Sequence, residues 1–294
     1  MLSSLELHDQ PPTPEPSGVM VPWWSFTKTV LAATALSLVR DGRVGLDTEI
    51  LDQPFTLRQL LRHEAGLADY GELAEYHAAV ANAEPAWSAD EMMQRLDGLR
   101  LRYSPGTSWR YSNVGYLLIG TLIEQLTDLT LEEAVNQRAV IPLGLSDIRF
   151  AKTRTDLRTS VLGITSDYDP GWVYHGLLTG PVSQAALFLD RLLAGNLLSK
   201  GLLEQMQAAR TLGGPIPGCP WITAGYGLGV MMGSIDGGFS LCGHTGCGPG
   251  SVIAVYRVTD GDKSACCAGF DAGASEGALE AIVVGQLMQI LRQS

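Results

Sequence analysis

Residues 25–40 read Ser-Phe-Thr-Lys-Thr-Val-Leu-Ala-Ala-Thr-Ala-Leu-Ser-Leu-Val-Arg and run into Asp41-Gly42. From Phe26 the stretch is rich in Ala and Leu, both good helix formers, and Gly42 supplies a C-cap, so it predicts one helix. Its apolar residues lie nearly all round rather than along one stripe, which marks a helix buried at the centre of a fold. Ser25 and Lys28 are three apart and would share a face, with the Lys28 amine beside Ser25 Oγ. A serine hydroxyl is a weak nucleophile until a neighbouring base takes its proton, and a desolvated lysine has its pKa lowered enough to do so. A helix N-terminus also favours the negative charge that develops there. Taken alone, S-x-x-K occurs by chance in many proteins.

Outward from this helix the chain is punctuated by readable starts. Thr56 with Gln59, Ser88 with Glu91 and Thr130 with Glu133 have capping-box spacing, and Gly66 closes the first of these segments. Val114–Leu126 and Pro181–Ala194 are apolar at helical spacing, and a last helix is expected over about 277–292. Between them, Thr211–Gly225 is rich in Gly and Pro and reads as a loop. Tyr226–Met232, Phe239–His244, Ser251–Val258 and Ser264–Phe270 read as strands separated by Gly- and Asp-rich turns such as residues 235–238 and 260–262. Helices in the middle with meander strands at the end predict an α+β fold, an antiparallel sheet flanked by helices, rather than alternating βαβ units. Residues 9–18 are Pro-rich and read as an extended lead-in.

Two further segments carry chemistry. Tyr111-Ser112-Asn113 follows Pro105-Gly106 and precedes an apolar helix. A phenol there can shuttle a proton, provided that nearby cations lower its pKa, and Asn113 can donate to a substrate carbonyl. His244-Thr245-Gly246, followed by Cys247, ends a strand pattern. A substrate can lie along such an edge, and a backbone N–H there can complete an oxyanion hole with that of Ser25.

The order S-x-x-K, Y-x-N, H-T-G resembles the serine β-lactamase and penicillin-binding-protein superfamily, in the branch of class C β-lactamases, D-Ala-D-Ala carboxypeptidases, D-aminopeptidases and related esterases. LRQLLRHEAGL (57–67), PGTSWRYSNVGYLLIGTLIE (105–124) and PLGLSD (142–147) match the family's phrasing, and the likeness covers roughly residues 21–290. It implies Ser25 as nucleophile, Lys28 as its proton acceptor and Tyr111 as proton relay to the leaving group and to water. Asn113, His244, Thr245 and Gly246 would bind substrate, and the N–H groups of Ser25 and Cys247 would form the oxyanion hole. The fold implied is a helical subdomain at about 50–200 set against an α/β subdomain of about 19–49 plus 201–294, with Ser25 in the cleft. The substrate implied is an ester, a D-amino-acid amide or peptide, or a β-lactam, and no metal or organic cofactor is implied.

There are departures. His244 stands where a lysine commonly binds a substrate carboxylate, which favours esterase or peptidase-like activity over an efficient β-lactamase. Residues 63–67 read HEAGL without a Ser before the Gly. Only 24 residues precede Ser25, so one or two sheet strands are expected to be missing, leaving an exposed edge or a second copy to cover it. The rival reading is a fold-retaining ligand-binding protein without turnover.

Competing signals are weaker. G-x-S-x-G at 273–277 would need a later histidine, and none follows. Cys242, His244 and Cys247 lack a fourth zinc ligand at motif spacing. Cys266 and Cys267 should face opposite sides of a strand, one in the core and one outside. His63 and His77 read as helix-surface or packing residues. A net charge of −11 disfavours phosphate backbones and anionic lipid, so no nucleic-acid or membrane partner is expected. The absence of an export signal, with five cysteines, suggests reduced thiols in a cytoplasmic protein.

Overall fold

The computed structural model describes residues 2–6, 19–158, 167–261 and 263–293. The lead-in expected at 9–18 lies outside them. In chain order the elements are β1 (Leu2–Glu6), β2 (Val21–Pro22), α1 (Thr27–Arg40), α2 (Leu57–Leu61), α3 (Ala74–Ala81), α4 (Ala89–Leu96), α5 (Asn113–Thr127) and α6 (Leu131–Val135). Then come β3 (Arg149–Ala151), α7 (Arg154–Arg158), β4 (Leu177–Gly180), α8 (Val182–Leu193) and α9 (Lys200–Gln207). The chain closes with β5 (Arg210–Gly213), β6 (Trp221–Tyr226), β7 (Met231–Ile235), β8 (Ser240–Gly248), β9 (Ser251–Asp260), β10 (Lys263–Asp271) and α10 (Glu276–Gln293).

The main sheet is antiparallel, with order β1-β10-β9-β8-β7-β6-β5. Alternation along β9 and β10 builds two cores. Ile253, Val255, Cys266 and Ala268 face the side of α1 and α8, while Val252, Ala254, Tyr256, Ala265 and Cys267 face α10. The fold is thus the expected α+β architecture, an antiparallel sheet flanked by helices. Cys266 and Cys267 do point to opposite faces, but both are buried because α10 covers the second one. No helix among the described residues is long and apolar enough to cross a membrane.

Several local readings need correction. Thr211–Gly225 is not a loop: β5 and β6 fill its ends, and only the Gly- and Pro-rich connection between them is irregular. Tyr226–Met232 is not one strand but the turn from β6 into β7. Gly229 there has φ +78°, and a Cβ on it would lie 2.3 Å from Ala32 Cβ, so the turn is seated directly on α1. Thr29 Oγ1 donates to Gly229 O at 2.8 Å and pins it there. An N-terminal strand, β1, does join the sheet, as the edge next to β10. The sequence pattern also missed a second, three-stranded sheet of order β2-β4-β3. Finally, α8 falls inside the interval 50–200 but packs on β1, β9 and β10.

The first helix behaves as its composition demands, with Thr27–Leu38 all buried. Capping boxes close at Thr56–Gln59 and Thr130–Glu133, and Ser88 caps α4 through the Glu91 N–H alone. Each such cap contributes about 1 kcal/mol to helix stability.

Candidate active site

Ser25 does not start α1. It lies one step earlier, in a 3₁₀ turn, Trp24–Phe26, that links β2 to α1. Trp24 has φ +42°, a strained conformation for a bulky residue. It is held there by Trp24 Nε1 donating to Ser251 Oγ at 2.9 Å and by edge packing on Tyr168. The serine is thereby held part-exposed above the buried helix.

On Ser25 Oγ two side chains converge, Lys28 Nζ at 3.0 Å and the Tyr111 hydroxyl at 3.0 Å. Lys28 is fully buried, and desolvation lowers its pKa from 10.5 to about 7, against a smaller opposing pull from Asp69. Near neutral pH much of it is therefore the free amine. Lys28 Nζ also lies 3.2 Å from His175 Nε2. Burial and the Lys28 charge push the His175 pKa well down, so the ring stays neutral and Nε2 can accept. That contact anchors the amine beside Ser25. Sequence reasoning missed His175, which lies 147 residues from Lys28 and belongs to no motif.

Tyr111 departs from expectation in one respect. Burial raises its pKa above that of a free phenol, with only a partial offset from the Ser25 hydrogen bond. It is a neutral donor rather than a phenolate. His63, expected at a surface or in packing, is packed under this ring, with centroids 4.3 Å apart, and its Nδ1 accepts from the Ser112 N–H at 3.1 Å. It is buried, at φ +60°, and so braces the Y-x-N segment from below. His77 is exposed on α3 and plays no part.

Asn113, the first residue of α5, is aimed by Asp69, whose Oδ1 accepts from Asn113 Nδ2 at 3.3 Å and whose Oδ2 accepts from the Asn113 N–H. Asp69 was not foreseen either. On the other side of Ser25 runs the end of β8. A Cβ built on Gly246 would stand 2.6 Å from Ser25 N and 2.8 Å from Trp23 O, so this strand passes too close for any side chain. His244 is buried, with Nε2 2.8 Å from the Tyr226 hydroxyl, and burial lowers its pKa to about 3. Thr245 Oγ1 donates to Glu280 Oε1 at 2.6 Å; Glu280, on α10, also accepts from Tyr256 OH and Trp221 Nε1.

Two cavities meet at the serine. The larger, about 470 Å³, is lined by Ser25, Tyr111, Asn113, His244, Thr245 and Cys247, with Glu276 and Glu280 on its α10 side. The smaller, about 130 Å³, lies toward Trp24, Tyr70 and His175. All the sequence-predicted site residues thus gather around one hydroxyl. The competing signals do not: Cys242 is packed in the inner core, and among the described residues no group of three His, Cys, Asp or Glu could hold a metal.

The fold has solved counterparts. A D-stereospecific amidohydrolase from Streptomyces sp. superposes with TM-score 0.77 at 25% identity, over 97% of this chain and 93% of that one. In sequence, the chain is 28% identical over 186 residues to lovastatin esterase of Penicillium rubens, covering 53% of this chain and 46% of the esterase. It is 26% identical over 156 residues to D-aminopeptidase of Gluconobacter oxydans, covering 50% of this chain and 29% of the peptidase. The chain thus matches less than half the length of these two relatives. The beta-lactamase family model matches residues 8–264, most of the chain, and the protein belongs to that family.

Proposed function

We propose that the protein is a serine hydrolase that cleaves esters or amides through a covalent acyl-Ser25 intermediate. The observation that carries the reading is the pair of hydrogen bonds on Ser25 Oγ from a buried lysine whose pKa is near 7 and a neutral phenol. Ser25 Oγ attacks the carbonyl carbon while its proton passes to Lys28 Nζ. The proton then reaches the leaving alcohol or amine through Tyr111 as the carbonyl–leaving-group bond breaks. Water, activated by the same pair, adds to the acyl-serine, and Ser25 leaves with its proton restored. The N–H groups of Ser25 and Cys247 stabilise the oxyanion at each step, and Asn113 holds the substrate carbonyl. All the groups this route needs come from the chain.

Intact mass after incubation with a fluorophosphonate probe tests the reading. One adduct is expected on the wild type and none on Ser25→Ala. A folded wild type without an adduct would favour a ligand-binding protein lacking turnover.

The charge of the cavity favours esters and amides over β-lactams that carry a carboxylate. Among the described residues its lining contains Glu276 and Glu280 and no Lys or Arg, and His244 is neutral near pH 7. A substrate carboxylate would meet repulsion instead of a cation. Glu276→Gln is expected to raise kcat/KM for a succinate half-ester about threefold relative to a neutral ester of the same alcohol, as a charge several ångströms away in a solvent-exposed cleft is worth under ~1 kcal/mol. An unchanged ratio would remove Glu276 from the account of specificity.

A further inference from the structure

We infer that the substrate carries a bulky apolar limb that binds in a second cavity beside the catalytic one, an inference that rests on the hydrolase reading above. This cavity, about 390 Å³, is walled by Trp109, Leu212, Pro215, Ile216, Pro217 and Tyr226, almost entirely carbon. It shares Tyr111, Ile216 and Met231 with the catalytic cavity, so the two are continuous past the proton relay.

The wall is built to stay in place. Gly213 and Gly214 have φ +126° and +133°, a region closed to other residues, and a Cβ on Gly214 would lie 2.5 Å from Ile222 O. The Ile216 N–H donates to Trp221 O at 3.2 Å, and Trp109 packs on His63 and Tyr226. The connection between β5 and β6 is therefore closed on itself by a backbone hydrogen bond and faces an aromatic wall packed in place. At its rim Leu212 and Ile216 remain 41% and 37% exposed, apolar surface that a bound apolar group would cover. An ion would lose its hydration there without a partner. At about 30 Å³ per heavy atom the space holds roughly a dozen at most, enough for an octyl chain or an arylalkyl group with room to spare.

The test uses two ester series, acyl chains of two to ten carbons on p-nitrophenol and acetates of alcohols of the same lengths. In one of them kcat/KM is expected to rise about threefold per methylene to about eight carbons and then level, which also tells which side of the scissile bond the limb occupies. Leu212→Asp, a change at an exposed position, is expected to cut the eight-carbon ester at least tenfold and the two-carbon ester less than twofold. Flat series in the wild type, or equal loss at both lengths, overturns the inference. Binding to Ser25→Ala, read by tryptophan fluorescence, tests the cavity without turnover. Methyl octanoate should bind at least tenfold more tightly than methyl acetate, and Leu212→Asp on that background should remove the difference. Equal affinities overturn the apolar site even if Ser25 takes the fluorophosphonate; a failed adduct with the preference intact overturns only the hydrolase reading.

Discussion

Replacing Lys28 by alanine is expected to lower kcat/KM by roughly three orders of magnitude, with the fold retained. The size follows from the proposed role: a positioned general base contributes about 10²–10⁴-fold, and among the described residues no other group bonded to Ser25 Oγ can accept a proton near neutral pH. Tyr111 is a neutral phenol, and His175 lies against Lys28 Nζ rather than Ser25. Arginine should not rescue, because a guanidinium does not deprotonate in this range. The wild-type profile should rise with pH through about 7 and then hold level, since only the free amine can take the Ser25 proton.

Stability gives an independent check, over a higher pH window. The Lys28 pKa is about 7 in the folded chain and 10.5 when unfolded, so between those values the unfolded chain binds the extra proton and stability rises with pH. Below 7 the full cost of burying the ammonium is present. Lys28→Met should therefore be more stable than wild type at pH 6, with the gap closing by up to about 1.4 kcal/mol per pH unit above 7. Denaturant melts at pH 6, 7 and 8 measure that gap. A constant gap, with activity that ignores pH between 6 and 8, would mean that Lys28 does not titrate near 7.

How much of this was legible in advance depended on sequence distance. The composition of α1, its burial on all sides and the capping boxes at Thr56 and Thr130 are local properties, and they read correctly. Ser25, Lys28, Tyr111, Asn113 and His244–Cys247 were legible because each pair or triplet is short and the combination rare. The groups that tune them were not. His175 reaches Lys28 across 147 residues, Asp69 reaches Asn113 across 44, and Glu280 reaches Thr245 across 35, each in a segment with no motif of its own. His63 read as a helix-surface or packing residue, and only the tertiary fold shows that it is buried and packs on the Tyr111 ring. The strands β5 and β6 hid for another reason: they are the edge strand and its neighbour, partly exposed, around a connection whose glycines and prolines dominate the local pattern.

The second large effect is expected at Gly246, a residue without a side chain. Its place beside Ser25 leaves no room for a methyl group, since the nearest contacts, Ser25 N at 2.6 Å and Trp23 O at 2.8 Å, are backbone atoms that cannot swing aside. Either β8 or the Trp24–Phe26 turn must shift, and both carry the proposed oxyanion donors. Losing one such donor costs about 10²–10³ in kcat. Gly246→Ala should thus lower kcat/KM at least a hundredfold and slow fluorophosphonate labelling of Ser25 in parallel. Overpacking of this kind costs about 1–3 kcal/mol, a drop of a few degrees in Tm for a domain of this size, so the protein should remain folded. Gly285 on α10 has nothing within 4 Å of a built Cβ, and Gly285→Ala should leave both rates unchanged. If Gly246→Ala labelled and turned over like Gly285→Ala, the oxyanion site would have to lie away from β8, and the assignment of Cys247 N–H would be wrong.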